Sequence, residues 1–357
     1  MKFEDILEIK NGRNQRAVEN PRGKYPIYGS GGIMGYADDY ICDAYTVIIG
    51  RKGNINNPIF VEEPFWNVDT AFGLSANTDV ILPRFLYYFC KKFDFERLNK
   101  TVTIPSLTKS DLLKIEIEPP NLLQQRDIVE RLTKIERIIA LRKLELKLLD
   151  ELIRARFVEM FGDIRYEEKY QGIPLRRLCT TISGGTPSTK CSEYYEGNIP
   201  WISTVSLGPN YIDGSTAKGY ITQEAIDNSA TKLIPAGNIL FGTRVGVGKS
   251  SINDVALCIN QDIVAIVGID KNRFNVLFIK YVLDTYQSYY DSIKKGATIL
   301  GITGDDLKNT LIPVPSLELQ NQFADFVKVV DKSKAAVQKA LDQAQLLFDS
   351  LMQEYFG

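Results

Sequence analysis

The chain has 357 residues, of which 44% are hydrophobic and 24% are charged, so it is long enough for two or three compact domains and is not a disordered polymer. It contains no histidine, which excludes a Ser-His-Asp or Cys-His nucleophile, a histidine-based zinc site and a histidine general base. With 43 basic and 44 acidic residues the net charge is −1, so any binding of nucleic acid must rest on local patches.

Neither a membrane segment nor a cysteine framework is predicted. The longest apolar runs fall far short of the roughly 20 residues that a membrane crossing needs, and residues 1–5 do not resemble a signal peptide, so we expect a cytoplasmic protein. The five cysteines contain no Cys-x-x-Cys pair, which indicates free thiols rather than disulfides or metal ligands. They are Cys42, Cys90, Cys179, Cys191 and Cys258.

Residues 1–120 form the first predicted segment, which combines strand signals with glycine-rich loops. The β-branched run 45–49 predicts a strand, and the pattern near 84–98 predicts a helix. In loops 24–32 and 50–57, glycines alternate with hydroxyl, amide, basic and aromatic side chains. This mixture suits a DNA-reading surface, because glycine permits close backbone approach, Arg and Asn read base edges, and Ser, Thr and Lys hold phosphates.

Residues 121–162 predict a long helix that contains no Pro or Gly after its first turn until it ends. Its apolar residues alternate at spacings of four and three, the pattern of a coiled-coil seam, with one break at Arg142. A helix of about 40 residues spans about 60 Å. The predicted seam consists of Ile128, Leu132, Ile135, Ile139, Leu146, Leu149 and Ile153.

A second segment of the same kind is predicted at 163–315, and a second long helix at 316–357. The segment contains strand signals at 238–241 and 263–267, a helical pattern near 276–293, and glycine-rich or aromatic loops between them. Together the two segments indicate an α+β fold with a curved mixed sheet in each. The seam of the second helix, broken at Lys334, consists of Phe323, Val327, Val330, Val337, Leu341, Ala344 and Phe348.

The two segment-plus-helix units are copies of one pattern. Residues 120–125 recur at 315–320, a displacement of 195, and further upstream the displacement becomes 193, which pairs Arg51 with Arg244. Because the second helix must begin near the end of the first, the two helices are predicted to pair antiparallel. The two segments would then sit at opposite ends, related by a pseudo-two-fold axis.

The loops supply the candidate DNA contacts. Residues 10–24 contain five basic side chains against Glu19 alone, whereas each whole segment is close to neutral, so the positive patches are local. Those predicted in the first segment are Lys24, Tyr28, Ser30, Arg51, Lys52, Asn54, Lys100 and Thr103, and those in the second are Thr186, Ser188, Lys190, Trp201, Arg244, Lys249, Lys295 and Thr298.

Two other functions remain as alternatives. Gly248-Lys249-Ser250 is typical of a phosphate loop, but Thr243 stands where that motif requires its first glycine, so an ATP-binding enzyme is the weaker hypothesis. A stand-alone repeat DNA-binding regulator is the other alternative. Methyl transfer is not predicted for this chain, because Asn57-Pro58-Ile59-Phe60 lacks the second proline of the amino-methyltransferase signature.

The repeated pattern resembles the DNA specificity subunit of Type I restriction-modification systems across essentially the whole chain. The first segment departs from the family pattern, because it lacks the Thr-Pro-Ser loop and the Trp and carries Tyr28 at the position that matches Ile202. The motifs behind the resemblance are Thr186-Pro187-Ser188, Ile199-Pro200-Trp201-Ile202-Ser203, Leu233-Ile234-Pro235-Ala236-Gly237, Arg244-Val245-Gly246-Val247-Gly248-Lys249 and the Pro-x-Leu-x-x-Gln that opens each long helix.

The resemblance implies a non-catalytic subunit. Two target recognition domains, 1–120 and 163–315, would each read one half of a split, asymmetric double-stranded DNA target. The helical regions 121–162 and 316–357 would set the spacer and dock two methyltransferase subunits. Those partners and further restriction or motor subunits would carry S-adenosylmethionine, ATP and Mg²⁺, whereas this chain would hold no cofactor or metal of its own.

Overall fold

The structure is a computed structural model that describes residues 1–99, 101, 104–165, 169–296 and 298–357. It divides into two compact units, and each contains part of both long helices. Unit 1 comprises Met1–Leu146 with Ala336–Gly357, and unit 2 comprises Lys147–Ala335. These units therefore cut across the four consecutive ranges expected from the sequence, because half of each long helix packs with each globular segment.

Unit 1 contains two sheets and a small group of helices. One sheet has the antiparallel order β1-β7-β4-β5, and the other has the order β3-β2-β6, in which β2 and β6 are parallel. The elements are α1 (Phe3–Ile6), β1 (Leu7–Asn11), β2 (Tyr25–Gly29), β3 (Gly32–Ala37), β4 (Thr46–Gly50), β5 (Ile59–Val61), β6 (Trp66–Asn67), β7 (Ala71–Ala76), α2 (Pro83–Lys92), α3 (Lys109–Leu113) and the long α4 (Leu122–Phe161).

The core of unit 1 lies between the β1-β7-β4-β5 sheet and α2. Val47 and Ile49 of β4, Phe72 of β7 and Phe85 of α2 are all buried in one cluster. Burial of each such side chain contributes about 1.5 to 3 kcal/mol. The strand predicted at 45–49 is present one residue later, and the helix predicted over 84–98 ends early and continues as a short 3-10 turn, Phe95–Leu98.

Unit 2 repeats this architecture with more strands. Its sheets have the orders β11-β15-β14-β17-β9 and β12-β10-β16-β13, and β18 pairs with β8. The elements are β8 (Gly172–Pro174), β9 (Thr180–Ser183), β10 (Ile199–Ile202), β11 (Tyr211–Ile212), β12 (Gly219–Ile221), α5 (Gln223–Asp227), β13 (Leu233–Ile234), β14 (Ile239–Gly242), β15 (Ser250–Asn253), β16 (Leu257–Ile259), β17 (Ile263–Val267), α6 (Val276–Thr285), α7 (Gln287–Ile293), α8 (Gly304–Lys308), β18 (Leu311–Pro313) and the long α9 (Leu317–Phe356).

The core of unit 2 joins its larger sheet to α6 and to the long helices. Phe241 of β14 and Phe278 of α6 belong to one buried cluster with Phe157, Phe161 and Phe323 of α4 and α9. The predicted strands at 238–241 and 263–267 are present, whereas the helical pattern over 276–293 is divided at Tyr286 into α6 and α7. The predicted α+β class with mixed sheets is confirmed.

The long helices contact each other within both units. In unit 2, Asp150 of α4 pairs with Lys334 of α9, while Phe157 lies against Phe323, so the helices run antiparallel there. The seam residues in the buried cluster of unit 1 are Leu132, Ile135, Ile139, Leu341 and Phe348, with Ile128, Leu146 and Ala344 at its margin. Those in the cluster of unit 2 are Ile153, Phe323, Val327 and Val330, with Leu149 at its margin. Val337, in unit 1, is also buried.

The repeated Pro-x-Leu-x-x-Gln motif has a structural role. The side chains of Gln125 and Gln320 are fully buried at the start of the long helices. Gln125 accepts from the amide of Leu82 (2.8 Å) and donates to the carbonyl of Pro120 (2.8 Å). Gln320 makes the same two bonds with Asn275 (2.9 Å) and Pro315 (3.0 Å). Each glutamine thus holds the start of α2 or α6 against a long helix.

Candidate nucleic-acid interface

The loops of unit 1 that were singled out by sequence lie at one end of its sheets. In the β1-β7-β4-β5 sheet, Gly50 pairs with Ala71 and Asn11 pairs with Phe72, so loops 12–24, 51–58 and 68–70 all leave from that end. Tyr28 pairs with Asn67, which brings the β2-β3 turn to the same end. The amide of Leu107 donates to the carbonyl of Arg51 (3.0 Å) and adds residues 104–107. We call these loops the loop end of unit 1.

Unit 2 has an equivalent loop end. Gly242 pairs with Ile263 and Val264 pairs with Ser183, so loops 184–198, 243–249 and 260–262 leave from one end of its larger sheet. Ile202 of β10 pairs with Ile259, which brings residues 203–210 there. The amide of Ile302 donates to the carbonyl of Thr243 (2.8 Å) and adds residues 298–302. The same backbone frame therefore collects five loops in each unit.

The strand registers correct the predicted equivalence of Arg51 and Arg244. The amide of Arg51 donates to the carbonyl of Thr70 (2.7 Å), and the corresponding bond in unit 2 runs from Thr243 to Asp262 (2.8 Å). Arg51 therefore matches Thr243, and Arg244 matches Lys52. The prediction is wrong by one residue, because matching identical letters across a loop does not fix the register that the flanking strand pairs impose.

Three of the predicted contacts in unit 1 are exposed at its loop end. They are Arg51, Lys52 and Asn54, and Ser30 is half-buried beside Gly50. Lys24 is also exposed, but it precedes Tyr25, which pairs with Ala37 at the end of the β2-β3 hairpin opposite to the turn. Lys100 and Thr103 lie outside the described residues.

Tyr28 differs from the other predicted contacts because its ring is partly enclosed. The ring packs edge-on against Phe65, with centroids 5.4 Å apart. This burial raises the pKa of Tyr28, so its hydroxyl remains a neutral donor and acceptor at physiological pH. A half-buried hydroxyl at the end of β2 can contact a ligand without moving its ring.

In unit 2 the exposed predicted contacts are spread over three loops. Arg244 is 57% exposed, and its Nη1 lies 3.9 Å from Oδ1 of Asp262, a loose contact that leaves most donors free. Thr186 donates its hydroxyl to the Gln261 side chain, which ties loop 184–198 to loop 260–262. The other exposed predicted contacts are Ser188, Lys190, Lys249, Lys295 and Thr298.

Trp201 is placed differently from the other predicted contacts. It is only 5% exposed, and its indole N–H donates to the carbonyl of Gly185 (3.1 Å). Its one polar atom is therefore occupied, and its ring packs on Tyr195 and under Lys218. This burial contradicts a direct stacking or base-edge contact by Trp201, and the structure instead places the residue behind loop 184–198 as its support.

Loop 243–249 does not have the geometry of a phosphate loop. It leads into strand β15, whereas a phosphate loop leads into a helix whose N-terminus faces the phosphates. The amides of Gly242, Gly248 and Lys249 donate to carbonyls within the same loop. The hydroxyl of Ser250 donates to Oδ1 of Asp284 (2.6 Å), so it is not free to bind a metal. The ATP-binding alternative loses its structural basis.

The thiols offer no activated nucleophile. Burial raises the pKa of Cys42 to about 12 and those of Cys179 and Cys258 to about 11, and it raises the pKa of Cys90 as well. Over the described part of the chain, no group of three or more Cys, Asp or Glu side chains is placed to hold a metal ion. Within the same residues, no helix is both long and apolar enough to cross a membrane.

The loops at the loop end of unit 1 are locally positive, whereas those of unit 2 are balanced, with Lys190, Arg244 and Lys249 against Glu193, Glu196 and Asp262. In unit 1, loops 12–24 and 51–58 carry Arg13, Arg16 and Arg22 in addition to the predicted cations, against Glu19. Sequence reasoning noticed the basic run over 10–24 but did not select its arginines, because no motif placed them near the other loops. Strand pairing brings Arg13 there, since β1 ends beside the start of β7 and the amide of Arg13 donates to the carbonyl of Asn67.

Comparisons with known proteins agree with this architecture. The Type I restriction modification DNA specificity domain family matches residues 1–151 and 167–345. The chain is 33% identical over 158 residues to the Type I restriction enzyme MjaIX specificity subunit of Methanocaldococcus jannaschii, an alignment that covers 44% of this chain. It is 35% identical over 159 residues to the EcoR124I/EcoR124II specificity subunit of Escherichia coli, covering 42% of this chain. Each alignment spans 37% of the relative's length.

Solved structures share the fold over the full length. The Type-I restriction-modification system S subunit from M. genitalium aligns with a TM-score of 0.67 at 16% identity, covering 100% of this chain and 95% of that one. A chain from a study of complex assembly in the type I R-M system aligns with a TM-score of 0.58 at 19% identity, covering 100% and 96%. At these identities the likeness establishes the fold alone.

Proposed function

Because this chain belongs to the Type I restriction modification DNA specificity family, we propose that it is a sequence-specific DNA-recognition subunit in which each loop end reads one half of a bipartite target. The observation that carries the proposal is the duplicated loop end. Both units use the same strand pairs and the same loop-closing hydrogen bonds, yet they present different side chains. One backbone arrangement that presents two different sets of side chains suits an asymmetric target with two unlike halves.

The chemistry of the loops supports DNA as the ligand. Exposed arginine and asparagine side chains can form bidentate bonds with base edges, and exposed lysines and threonines can hold phosphates. These groups lie on loops whose backbone is fixed by hydrogen bonds to the sheets, which limits the entropy that binding must cost. The polar atoms needed for readout are therefore presented on a rigid support.

The proposal extends to partners. We infer that the long helices dock two methyltransferase subunits, and that restriction or motor subunits complete the assembly in the cytoplasm. S-adenosylmethionine, ATP and Mg²⁺ would be held by those partners. Exposed apolar side chains support a docking role, since large hydrophobic residues are rarely left in solvent along one helix without a partner. On α4 they include Ile138, Leu141 and Leu144 in unit 1 and Leu148 and Leu152 in unit 2.

Single-molecule mapping of DNA methylation tests the function. Cells with the gene, compared with cells that lack it, should gain adenine methylation at one split, asymmetric motif, and the chain should copurify with methyltransferase subunits. An unchanged methylation map in an assembled complex would contradict the proposal. If the chain purifies alone yet binds a specific sequence, the stand-alone regulator is the correct alternative.

Arg244→Ala sharpens this test at one position. Loss of a bidentate base contact should weaken binding by about 1 to 3 kcal/mol and relax the motif at one base pair. The matched control is Arg177→Ala, an exposed arginine that precedes β9 and lies away from the loop end. A methylation motif and DNA affinity unchanged by Arg244→Ala in a folded, assembled protein would remove Arg244 from the readers.

A further inference from the structure

Loop 12–24 of unit 1 begins in the same way as loop 184–198 of unit 2. The amide of Gly12 donates to the carbonyl of Ala71 (3.2 Å), and that of Gly184 donates to Ile263 (3.1 Å). The next amide in each loop repeats the match, because Arg13 donates to Asn67 (2.8 Å) and Gly185 to Ile259 (2.9 Å). The two loops therefore leave their sheets from equivalent positions, although no sequence motif connects them.

Close packing gives independent support for this match. A Cβ atom on Gly12 would lie 1.8 Å from the carbonyl oxygen of Val68, and one on Gly184 would lie 2.0 Å from that of Asn260. Neither position accepts a side chain, because real Cβ atoms do not approach oxygen so closely. Both loops thus start with a glycine, because a second backbone segment passes so close to this position in each unit that a side chain has no room.

In each loop a backbone carbonyl accepts a hydrogen bond from a tryptophan, but the two tryptophans lie on strands that are not equivalent. The indole N–H of Trp66, on β6, donates to the carbonyl of Arg13 (3.0 Å), and that of Trp201, on β10, donates to the carbonyl of Gly185 (3.1 Å). Trp66 is 7% exposed and Trp201 is 5% exposed. β6 of unit 1 corresponds to β16 of unit 2, and β16 pairs with β10. The two indole N–H groups therefore reach equivalent backbone carbonyls from strands that are neighbours in the shared sheet.

The loop held by Trp66 presents arginines. Arg13 and Arg16 are exposed, and across the residues that the structure describes neither makes a salt bridge. The side chain of Asn14 accepts from the amide of Arg16 (2.9 Å), which orders the backbone between the two arginines. Their guanidinium donors are therefore free, and the chain that carries them is fixed at both the Gly12 and the Trp66 bonds.

We propose that Arg13 and Arg16 read bases in the half-site recognised by unit 1, and that Trp66 is a positioning residue that holds their loop, as Trp201 holds loop 184–198. This inference rests on the proposed function. It assigns the reading role in unit 1 to a loop that carries no family motif, and it gives the two tryptophans one shared task in spite of their different strands.

The first experiment replaces both arginines. Arg13→Gln with Arg16→Gln, in the full chain assembled with its methyltransferase subunits, should relax one half of the methylation motif and leave the other half intact. Binding to a duplex carrying the wild-type motif should weaken about tenfold or more for each arginine. The control is Lys114→Gln, an exposed cation of unit 1 next to the segment that pairs with residues 1–3, which should change neither quantity.

The second experiment separates positioning from general stability. Trp66→Phe keeps an aromatic ring and removes the N–H, so it should relax the same half as the arginine variant while the unfolding transition is kept. Trp201→Phe should relax the opposite half. A motif that is unchanged in both halves overturns the proposal even if affinity falls, and so does relaxation of one and the same half by both tryptophan variants.

The outcomes also separate this inference from the proposed function. A wild-type complex that shows no bipartite motif would end the proposed function itself. A wild-type complex that shows the motif, together with an arginine variant that reads it normally, would end the assignment of loop 12–24 alone.

Discussion

Units 1 and 2 share a backbone frame far more closely than they share side chains. Their loop ends are closed by equivalent amide-to-carbonyl bonds, and the start of α2 or α6 is held by the same buried glutamine. The side chains differ, since Arg13 of unit 1 occupies the position that Gly185 occupies in unit 2. The comparison teaches that the duplicated units keep what the backbone requires, whereas their exposed side chains differ.

The interior also diverges where the frame allows it. Tyr88 of α2 and Tyr281 of α6 occupy matching positions, and each faces a carboxylate of a long helix. In unit 1 the hydroxyl of Tyr88 donates to Glu136 (2.7 Å), which also pairs with Lys91 and Arg84. In unit 2 the side-chain amide of Asn210 donates both to Tyr281 (2.9 Å) and to Asp331 (2.8 Å). One half-buried carboxylate is balanced by cations, and the other by a neutral amide.

The largest expected difference between the units concerns the repeated phenylalanine at the end of each long helix. Phe161 is fully buried against Phe278 and Phe323, with ring centroids 4.8 and 5.6 Å apart, whereas Phe356 is half-buried on Phe85 at 5.0 Å. Phe161→Ala should lower the free energy of unfolding by about 3 to 5 kcal/mol, and Phe356→Ala by clearly less. Urea titration measures both, and equal losses would show that the two positions are equivalent after all.

The next effect tests the carboxylate of unit 1. Burial opposes the charged form of Glu136, but hydrogen bonds from Lys91 and Tyr88 and the charge of Arg84 outweigh it and lower the pKa of this carboxyl. Glu136→Gln should therefore cost about 1.5 to 3 kcal/mol at neutral pH.

The pH dependence of that variant has a definite sign. A lowered folded-state pKa stabilises the protein above the unfolded pKa of about 4.3, and the contribution is lost as pH falls through the lower folded value. The gap between wild type and Glu136→Gln in urea titrations should thus close below about pH 4. Glu130→Gln, on the same helix, should show a much smaller gap, because its ion pair with Lys134 is exposed to solvent. A gap that persists in acid would contradict the assignment.

The smallest effect should be the same in both units. Gln125→Leu and Gln320→Leu each leave a backbone amide and a proline carbonyl without their buried partners, which should cost about 1 to 3 kcal/mol in either unit. Gln338→Leu, at an exposed position of α9, should change the free energy of unfolding by less than about 0.5 kcal/mol. Clearly different losses of unfolding free energy for the two glutamine variants would mean that the shared motif stabilises the two units unequally.

Much of the architecture was accessible from the sequence. The repeat, the α+β class and the seam of each long helix follow from spacing, because apolar residues at intervals of three and four can be buried together only on one face of a helix. The exposure of many candidate loop residues could also be expected, since glycine-rich polar loops must lie outside the core.

The sequence by itself thus determined a duplicated chain with two long helices and polar loops. Tertiary structure decided the one-residue register that makes Arg244 the structural equivalent of Lys52, the burial of Trp201 and the placement of Arg13 at the loop end. These depend on strand pairing between residues far apart in the chain, where a shift of one position moves every side chain to the other face. Local patterns carry no information about that choice, because it is made by the packing of the whole unit.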